Sequence, residues 1–139
     1  YSHHRLDKFV NMKGVVINAN ELKHEFRDNS SSIVSLGKKL QKKLKTKKII
    51  ITQGKDGVTL INKNKVFHAP AFTKNVVDKI GAGDAMLAIA SLCFKKNLDE
   101  LLTLYLGSIA AAHVVETMSN SSPIDKNKIL KIVSHQLIN

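Results

Sequence analysis

Lys48-Ile49-Ile50-Ile51-Thr52-Gln53-Gly54-Lys55-Asp56-Gly57 is the stretch on which the fold turns. Three consecutive isoleucines read as a strand buried on both faces, since no polar residue alternates with them and β-branched side chains pack well on a pleated surface. The strand spans Lys48–Gln53, and Gly54–Gly57 is the turn that ends it. Just downstream, Val58–Ile61 and Lys65–His68 flank Asn62-Lys63-Asn64 and predict a hairpin, closed by Pro70. Upstream, Ile33, Leu36, Leu40 and Leu44 recur at helical spacing and predict a helix over Ile33–Leu44, with capping residues in Asp28–Ser32. Before it, Gly14–Asn18 is a second buried-strand run, and a short helix over Asn20–Arg27 follows.

Further downstream, Gly81–Asp84 opens a helix to about Phe94 whose residues Ala85 to Ala90 are apolar all round, which predicts burial on most sides. Asn97 and Glu100 have capping-box spacing ahead of a helix over Leu98–Val115, whose Tyr105, Ile109 and Ala112 read as core. Ser122, Pro123 and Asp125 start the last helix: a cap, a proline at the first helical position and an acid in the first turn. Strand–helix–helix–strand–hairpin–helix–helix–helix predicts an α/β layer sandwich with the first two strands parallel. No repeat or internal boundary is visible, so residues 1–139 read as one domain.

Composition narrows the function classes. Hydrophobic residues at 43% and charged residues at 24% are ordinary for a globular chain and exclude disorder throughout. No apolar run approaches the roughly 20 residues of a membrane span, and no charged-then-apolar leader pattern opens the chain. Cys93 is the single cysteine, so no intramolecular disulfide forms; a soluble cytoplasmic protein is expected, with no membrane partner. The net charge is +11, from 22 Lys+Arg against 11 Asp+Glu. Only Arg5 and Arg27 are arginines, the residue on which specific nucleic-acid readers rely. The cluster Lys38, Lys39, Lys42, Lys43, Lys45, Lys47 and Lys48 reads as a solvated helix face, and with 5% aromatics and no Trp there are few stacking platforms. Nucleic acid is therefore not the expected partner, and a basic nucleic-acid-binding domain is the remote rival reading.

Three polar turns carry the chemistry. In Val76-Val77-Asp78-Lys79-Ile80-Gly81-Ala82-Gly83-Asp84, glycines at 81 and 83 bare the backbone amides at a loop-to-helix junction, with φ > 0 expected at Gly83. The helix terminus adds partial positive charge, which makes an anion site. Asp84 at its mouth is suited to taking a proton from a hydroxyl that attacks a phosphoryl group. Thr52-x-Gly54-x-x-Gly57 follows a buried strand at its carboxyl end, where α/β folds place ligands. Asn18-Ala19-Asn20-Glu21 follows the first strand and offers an amide and a carboxylate for Mg²⁺, directly or through water. Lys55 can reach a phosphate or be one more surface lysine. His3, His4, His24, His68, His113 and His135 are scattered or terminal and take no catalytic role, and Cys93 is core.

The order Asn18-x-x-Glu21, Thr52-x-Gly54-x-x-Gly57, Asp78-x-x-Gly81-Ala82-Gly83-Asp84 resembles the ribokinase-like carbohydrate kinases, the PfkB family, from about Gly14 onward. That resemblance implies a three-layer α/β/α sandwich and transfer of the γ-phosphoryl of ATP to a sugar or sugar-phosphate hydroxyl, with Mg²⁺ and often K⁺. It makes Asp84 the general base and the amides of Gly81, Ala82 and Gly83 the anion hole. Glu21 with Asn18 organises Mg²⁺ and phosphate, Thr52–Gly57 with Gly54 and Lys55 lines the ATP site, and Asp78 and Ile80 form a monovalent-cation loop. Pro70-Ala71-Phe72-Thr73 and Ser119-Asn120-Ser121 further resemble heptose-type kinases found with or fused to nucleotidyltransferases. Lys79 and Ser119 depart from the pattern, at places where small hydroxyl residues and a glycine are common. The chain is roughly half the family's length and corresponds to its C-terminal part. The N-terminal half, which in the family supplies most sugar contacts and a lid, has no counterpart before Gly14. An isolated chain that binds nucleotide without turnover is therefore expected. An open sheet edge that favours a homodimer is expected too, and a nucleotide-binding module without catalysis is the first rival.

Overall fold

The computed structural model describes residues 6–72, 81–117, 127 and 131. Its elements are β1 (Gly14–Asn18), α1 (Ala19–Phe26), α2 (Ile33–Leu44), β2 (Lys48–Thr52), β3 (Val58–Asn62), β4 (Lys65–Ala69), α3 (Ala82–Lys95) and α4 (Glu100–Thr117). The strands form one sheet in the order β1-β2-β3-β4. β1 and β2 are parallel, as expected, with Ile17 opposite Ile51. β3 and β4 complete the sheet as an antiparallel hairpin whose tight turn is Lys63-Asn64, with Lys63 at φ 53°.

Period-two alternation splits the isoleucines between two cores. Ile17, Ile49, Ile51 and Ile61 face Leu22 of α1 and Leu36, Leu40 and Leu44 of α2. Ile50, Val58, Leu60 and Ala69 face Met86 and Ala90 of α3 and Leu104 of α4. The sheet thus has helices on both faces, the α/β/α sandwich. Each fully buried Leu or Ile contributes about 1.5–3 kcal/mol relative to an exposed one.

Caps fix the helix ends. Ser32 accepts the Ser35 amide at 3.2 Å to start α2, and Lys45 ends it in the left-handed conformation at φ 51°. The Gln41 amide donates to the carbonyls of Lys47 and Ile61, tying α2 to the sheet. The Asp28 carboxylate accepts from the hydroxyls and amides of Ser31 and Ser30, and the Ser31 hydroxyl leads in holding it well below the usual carboxylate range.

Three expectations change. Asp99, not Asn97, caps α4: its carboxylate accepts the amides of Leu101 and Leu102 at 2.9 and 3.1 Å. Asn97 instead takes φ 55° in the turn that ends α3, and the Leu98 amide bonds the Cys93 carbonyl. Glu100 is freed to accept from Asn62 at 2.6 Å and to pair with Lys48 at 3.4 Å; these partners hold its carboxyl low against the opposing pull of burial. Second, α3 is not buried all round: Ala85, Met86, Ala90 and Cys93 are, but Leu87 and Leu92 are 46% and 61% exposed. Among the described residues α3 rests on β1 and α4, and β1 has a strand on one side only. Third, Tyr105 of α4 is half-exposed, edge-on to Phe72, although Ile109 is core. The helix expected from Ser122 starts outside the described residues.

Candidate functional site

Parallel pairing sets Asn18 and Thr52 side by side at the carboxyl ends of β1 and β2. At Asn18 the chain turns into α1 through a capping box. The Asn18 side chain accepts the Asn20 amide at 2.8 Å, and the Glu21 carboxylate accepts the Asn18 amide at 3.1 Å. The Asn-x-x-Glu spacing therefore serves the helix start directly, and it holds Glu21 beside Asn18 with one carboxylate oxygen occupied.

After Thr52 the loop closes on itself: the Gln53 amide bonds the Gly57 carbonyl at 2.8 Å, and the Gly57 amide bonds the Gly54 carbonyl at 3.1 Å. Gly54 and Gly57 take φ of 61° and 85°. A Cβ on Gly57 would stand 2.2 Å from the Ala69 carbonyl oxygen and 2.9 Å from the Pro70 backbone. Gly57→Ala is expected to destabilise the fold by at least about 2 kcal/mol, through overlap and a left-handed strain together. Urea unfolding checks it, and an unchanged midpoint would contradict this packing.

Gly81 begins α3 at φ 85°, ψ −19°, and its carbonyl accepts the first helical bond, from Ala85 at 2.9 Å. The amides of Ala82, Gly83 and Asp84 precede that bond and have no acceptor within the helix. The glycine whose backbone demands it is Gly81. Gly83, expected at positive φ, has no such backbone, lies inside the helix, and has nothing within 4 Å of its would-be Cβ. Asp84 is the third residue of α3 and is exposed.

These ends meet in one crevice with a cavity of about 120 Å³. Asn18, Thr52, Gly54, Gly57 and Ala82 all line it, so the three motifs converge. Lys55, Gly81 and Gly83 adjoin that lining in sequence, Glu21 and Asp84 stand two or three residues from it, none of the five forms it, and Lys55 is exposed. Asp78 and Ile80, the expected cation loop, lie outside the described residues. Among the described residues no three His, Cys, Asp or Glu side chains group to hold a metal, so Glu21 fits a divalent ion only through water and a ligand's own oxygens. None of His24, His68 and His113 lines the crevice; His68 Nδ1 lies 3.2 Å from the Thr59 hydroxyl, which also donates to Gln53. Burial pushes the Cys93 thiol up, against a smaller effect of the Thr103 hydroxyl, consistent with an inert core thiol.

Sequence reasoning missed the apolar wall: Val58, Phe72, Met86, and Ser108, Ala111, Ala112 and Val115 of α4. The last four recur at i, i+3, i+4 and i+7, a signal present in the sequence but identical to that of ordinary core packing. The lysine cluster lies elsewhere. Its exposed members follow α2 to the start of β2, the end of the sheet opposite the crevice. Lys48 is folded 4.6 Å over the Phe94 ring.

A bared helix terminus at the carboxyl ends of parallel strands is a place where α/β proteins commonly hold anionic ligands. The pfkB family carbohydrate kinase model matches residues 11–127, and the chain belongs to that family. It is 25% identical over 111 residues to the bifunctional protein HldE of Koribacter versatilis, covering 80% of this chain and 23% of that one. It superposes on the ribokinase of Thermotoga maritima with a TM-score of 0.76 at 24% identity, covering 91% and 43% of the two chains. The ribokinase of Arabidopsis thaliana, complexed with ribose and ATP, gives 0.74 at 20%, covering 88% and 41%. The fold is ribokinase-like, and the chain spans about a quarter of that bifunctional relative and under half of each ribokinase. Among the described residues no helix is long and apolar enough to cross a membrane.

Proposed function

We propose that the protein works in transfer of the γ-phosphoryl of ATP to a hydroxyl of a sugar or sugar phosphate, in the cytoplasm, where it has no nucleic-acid partner. The carrying observation is the convergence of Asn18, Thr52, Gly54, Gly57 and Ala82 on one crevice beside the bared amides of α3. Asp84, at the same helix terminus, accepts the proton of the attacking hydroxyl as its oxygen bonds to the γ-phosphorus and ADP departs. The amides of Gly81, Ala82 and Gly83 take the charge that develops on the transferred group. Glu21 with Asn18 would hold Mg²⁺ brought in with the nucleotide, and the ion would offset phosphate charge. ATP and sugar as ligands are supported by family membership and by the ribose and ATP recorded in the Arabidopsis ribokinase. A heptose-type acceptor is the finer form of this reading, supported by residues 70–73 and the bifunctional relatives.

Calorimetry with ATP and ADP, with and without Mg²⁺, and a coupled kinase assay on the same 139-residue sample test it. Weak Mg²⁺-assisted nucleotide binding without sugar turnover is expected, because the nucleotide-contacting motifs are all present in this chain and the acceptor contacts lie elsewhere in the family. Robust turnover would put the acceptor site within these residues. A folded sample that binds no nucleotide would overturn the reading.

A further inference from the structure

The end of the molecule away from the crevice carries an apolar turn set among lysines. The 3-10 turn Leu6–Phe9 leads through Val10, Asn11, Met12 and Lys13 into β1. Phe9 and Met12 are 49% and 47% exposed, and Val10 is exposed as well. Leu6 packs against the core, the Asn11 amide bonds the Leu44 carbonyl at 2.9 Å, and the Thr46 hydroxyl donates to the Met12 carbonyl at 2.8 Å. The turn is thus anchored, and three large apolar side chains within four residues are held in water. Single exposed apolar residues need no explanation, but a group of them marks a contact surface.

Strand register brings lysines to the same end. Gly14, Lys48, Asn62 and Lys65 stand in one row across the sheet. Lys13 and Lys47 precede that row, Lys63 adjoins it, and the Lys63 amide bonds the Lys47 carbonyl at 3.1 Å. Lys45 ends α2 beside Thr46, and Lys8 lies in the apolar turn itself. All six of Lys8, Lys13, Lys45, Lys47, Lys63 and Lys65 are exposed. The ion pairs among the described residues engage Lys39, Lys43 and Lys48 instead. Nearby acids are already occupied: Glu25 with Lys43, Asp99 in capping α4, and Glu100 with Lys48 and Asn62.

Apolar side chains ringed by cations match a bilayer face rich in anionic headgroups. Such a face takes lysine charge at the level of its phosphates and Phe, Val and Met at the acyl boundary. A nucleic acid would meet the lysines but leave the apolar side chains in water, and the six include no arginine. A second copy would set lysine against lysine. The lack of a spanning helix among the described residues bears on crossing a bilayer, not on contact with its surface. We propose that this end of the protein docks peripherally on an anionic lipid surface, with the crevice at the opposite end left open to solvent. The expected lack of a membrane partner is revised to that extent, and the docking is independent of what the crevice binds.

Co-sedimentation of the 139-residue protein with two kinds of vesicle tests it: phosphatidylcholine alone, and equal parts of phosphatidylcholine and phosphatidylglycerol. Binding to the anionic vesicles only is expected, falling with added salt. Lys13→Gln, Lys47→Gln and Lys65→Gln together should weaken it by about 10²-fold, about fivefold for each lysine. Phe9→Ser with Met12→Gln should weaken it by about tenfold or more, and should leave any binding to single-stranded DNA unchanged. Both variants should melt as the unmodified protein does, because the altered side chains are exposed. No binding to the anionic vesicles, or equal binding to both kinds, would overturn the proposal. Vesicle binding that is lost with the lysines but untouched by Phe9→Ser and Met12→Gln would also overturn it, in favour of a general polyanion surface. A markedly lower melting point for the Phe9→Ser, Met12→Gln protein would show those side chains to be packed, and would remove them as membrane contacts.

Discussion

Asp84→Asn, in the kinase with its acceptor-binding part in place, is expected to lower kcat by about 10²-fold or more, the ordinary scale of a lost general base. The substitution keeps the size of the side chain and its place as third residue of α3, and removes only the capacity to take a proton. Nucleotide affinity should hold or rise slightly. The anion hole is backbone, and the carboxylate that repels a nearby phosphate is gone. Steady-state kinetics with ATP and acceptor varied in turn separate the two parameters. A kcat within a few-fold of the unmodified enzyme would remove Asp84 from the role of base. It would also favour the rival in which the crevice binds nucleotide and something else performs the transfer.

The layers of this fold were legible because isoleucine runs tolerate few interpretations. Ile49, Ile50 and Ile51 need apolar neighbours on both faces, and Leu36, Leu40 and Leu44 offer one of them at helical spacing. What failed was local competition and tertiary exposure. Asn97 and Glu100 have the spacing of a box, yet Asp99 sits nearer the first free amides and takes them. The apolar girth of α3 gave no hint of which side would face solvent, since that depends on β1 standing at the margin of the described sheet. The turns at Gly54–Gly57 and Gly81 were readable from chemistry, but the positive φ expected at Gly83 falls at Gly81. The α4 wall was not, because Ser108, Ala111 and Ala112 carry no mark that separates a ligand wall from a packed helix face.

Asn18 and Glu21 show how a motif read for a site also has a purely local cause. The capping box accounts for both residue types by local hydrogen bonding, with no ligand. The same bonds fix the Glu21 carboxylate at the head of α1, beside Asn18 and the crevice. Local stability and the proposed site role therefore call for the same pair.

Gly83→Val should abolish most phosphoryl transfer, by about 10²-fold or more if even one amide donor is screened, while leaving the fold nearly intact. A would-be Cβ at Gly83 meets nothing within 4 Å, and the residue sits inside α3. Valine is no worse than glycine in a helix interior, so stability should stay within about 0.5 kcal/mol. The open space beside it is where a phosphate must approach the first-turn amides, and a branched side chain would fill it. Gly81→Val is the opposing control. At φ 85° a β-branched residue is strained by about 1–2 kcal/mol, so that variant should melt measurably lower whatever its activity. Melting curves and kcat on the two proteins together make the distinction. Normal turnover in a well-folded Gly83→Val enzyme would refute the anion hole. Melting of Gly83→Val as low as that of Gly81→Val would mean that its lost activity reports damage to the helix start and not a blocked phosphate.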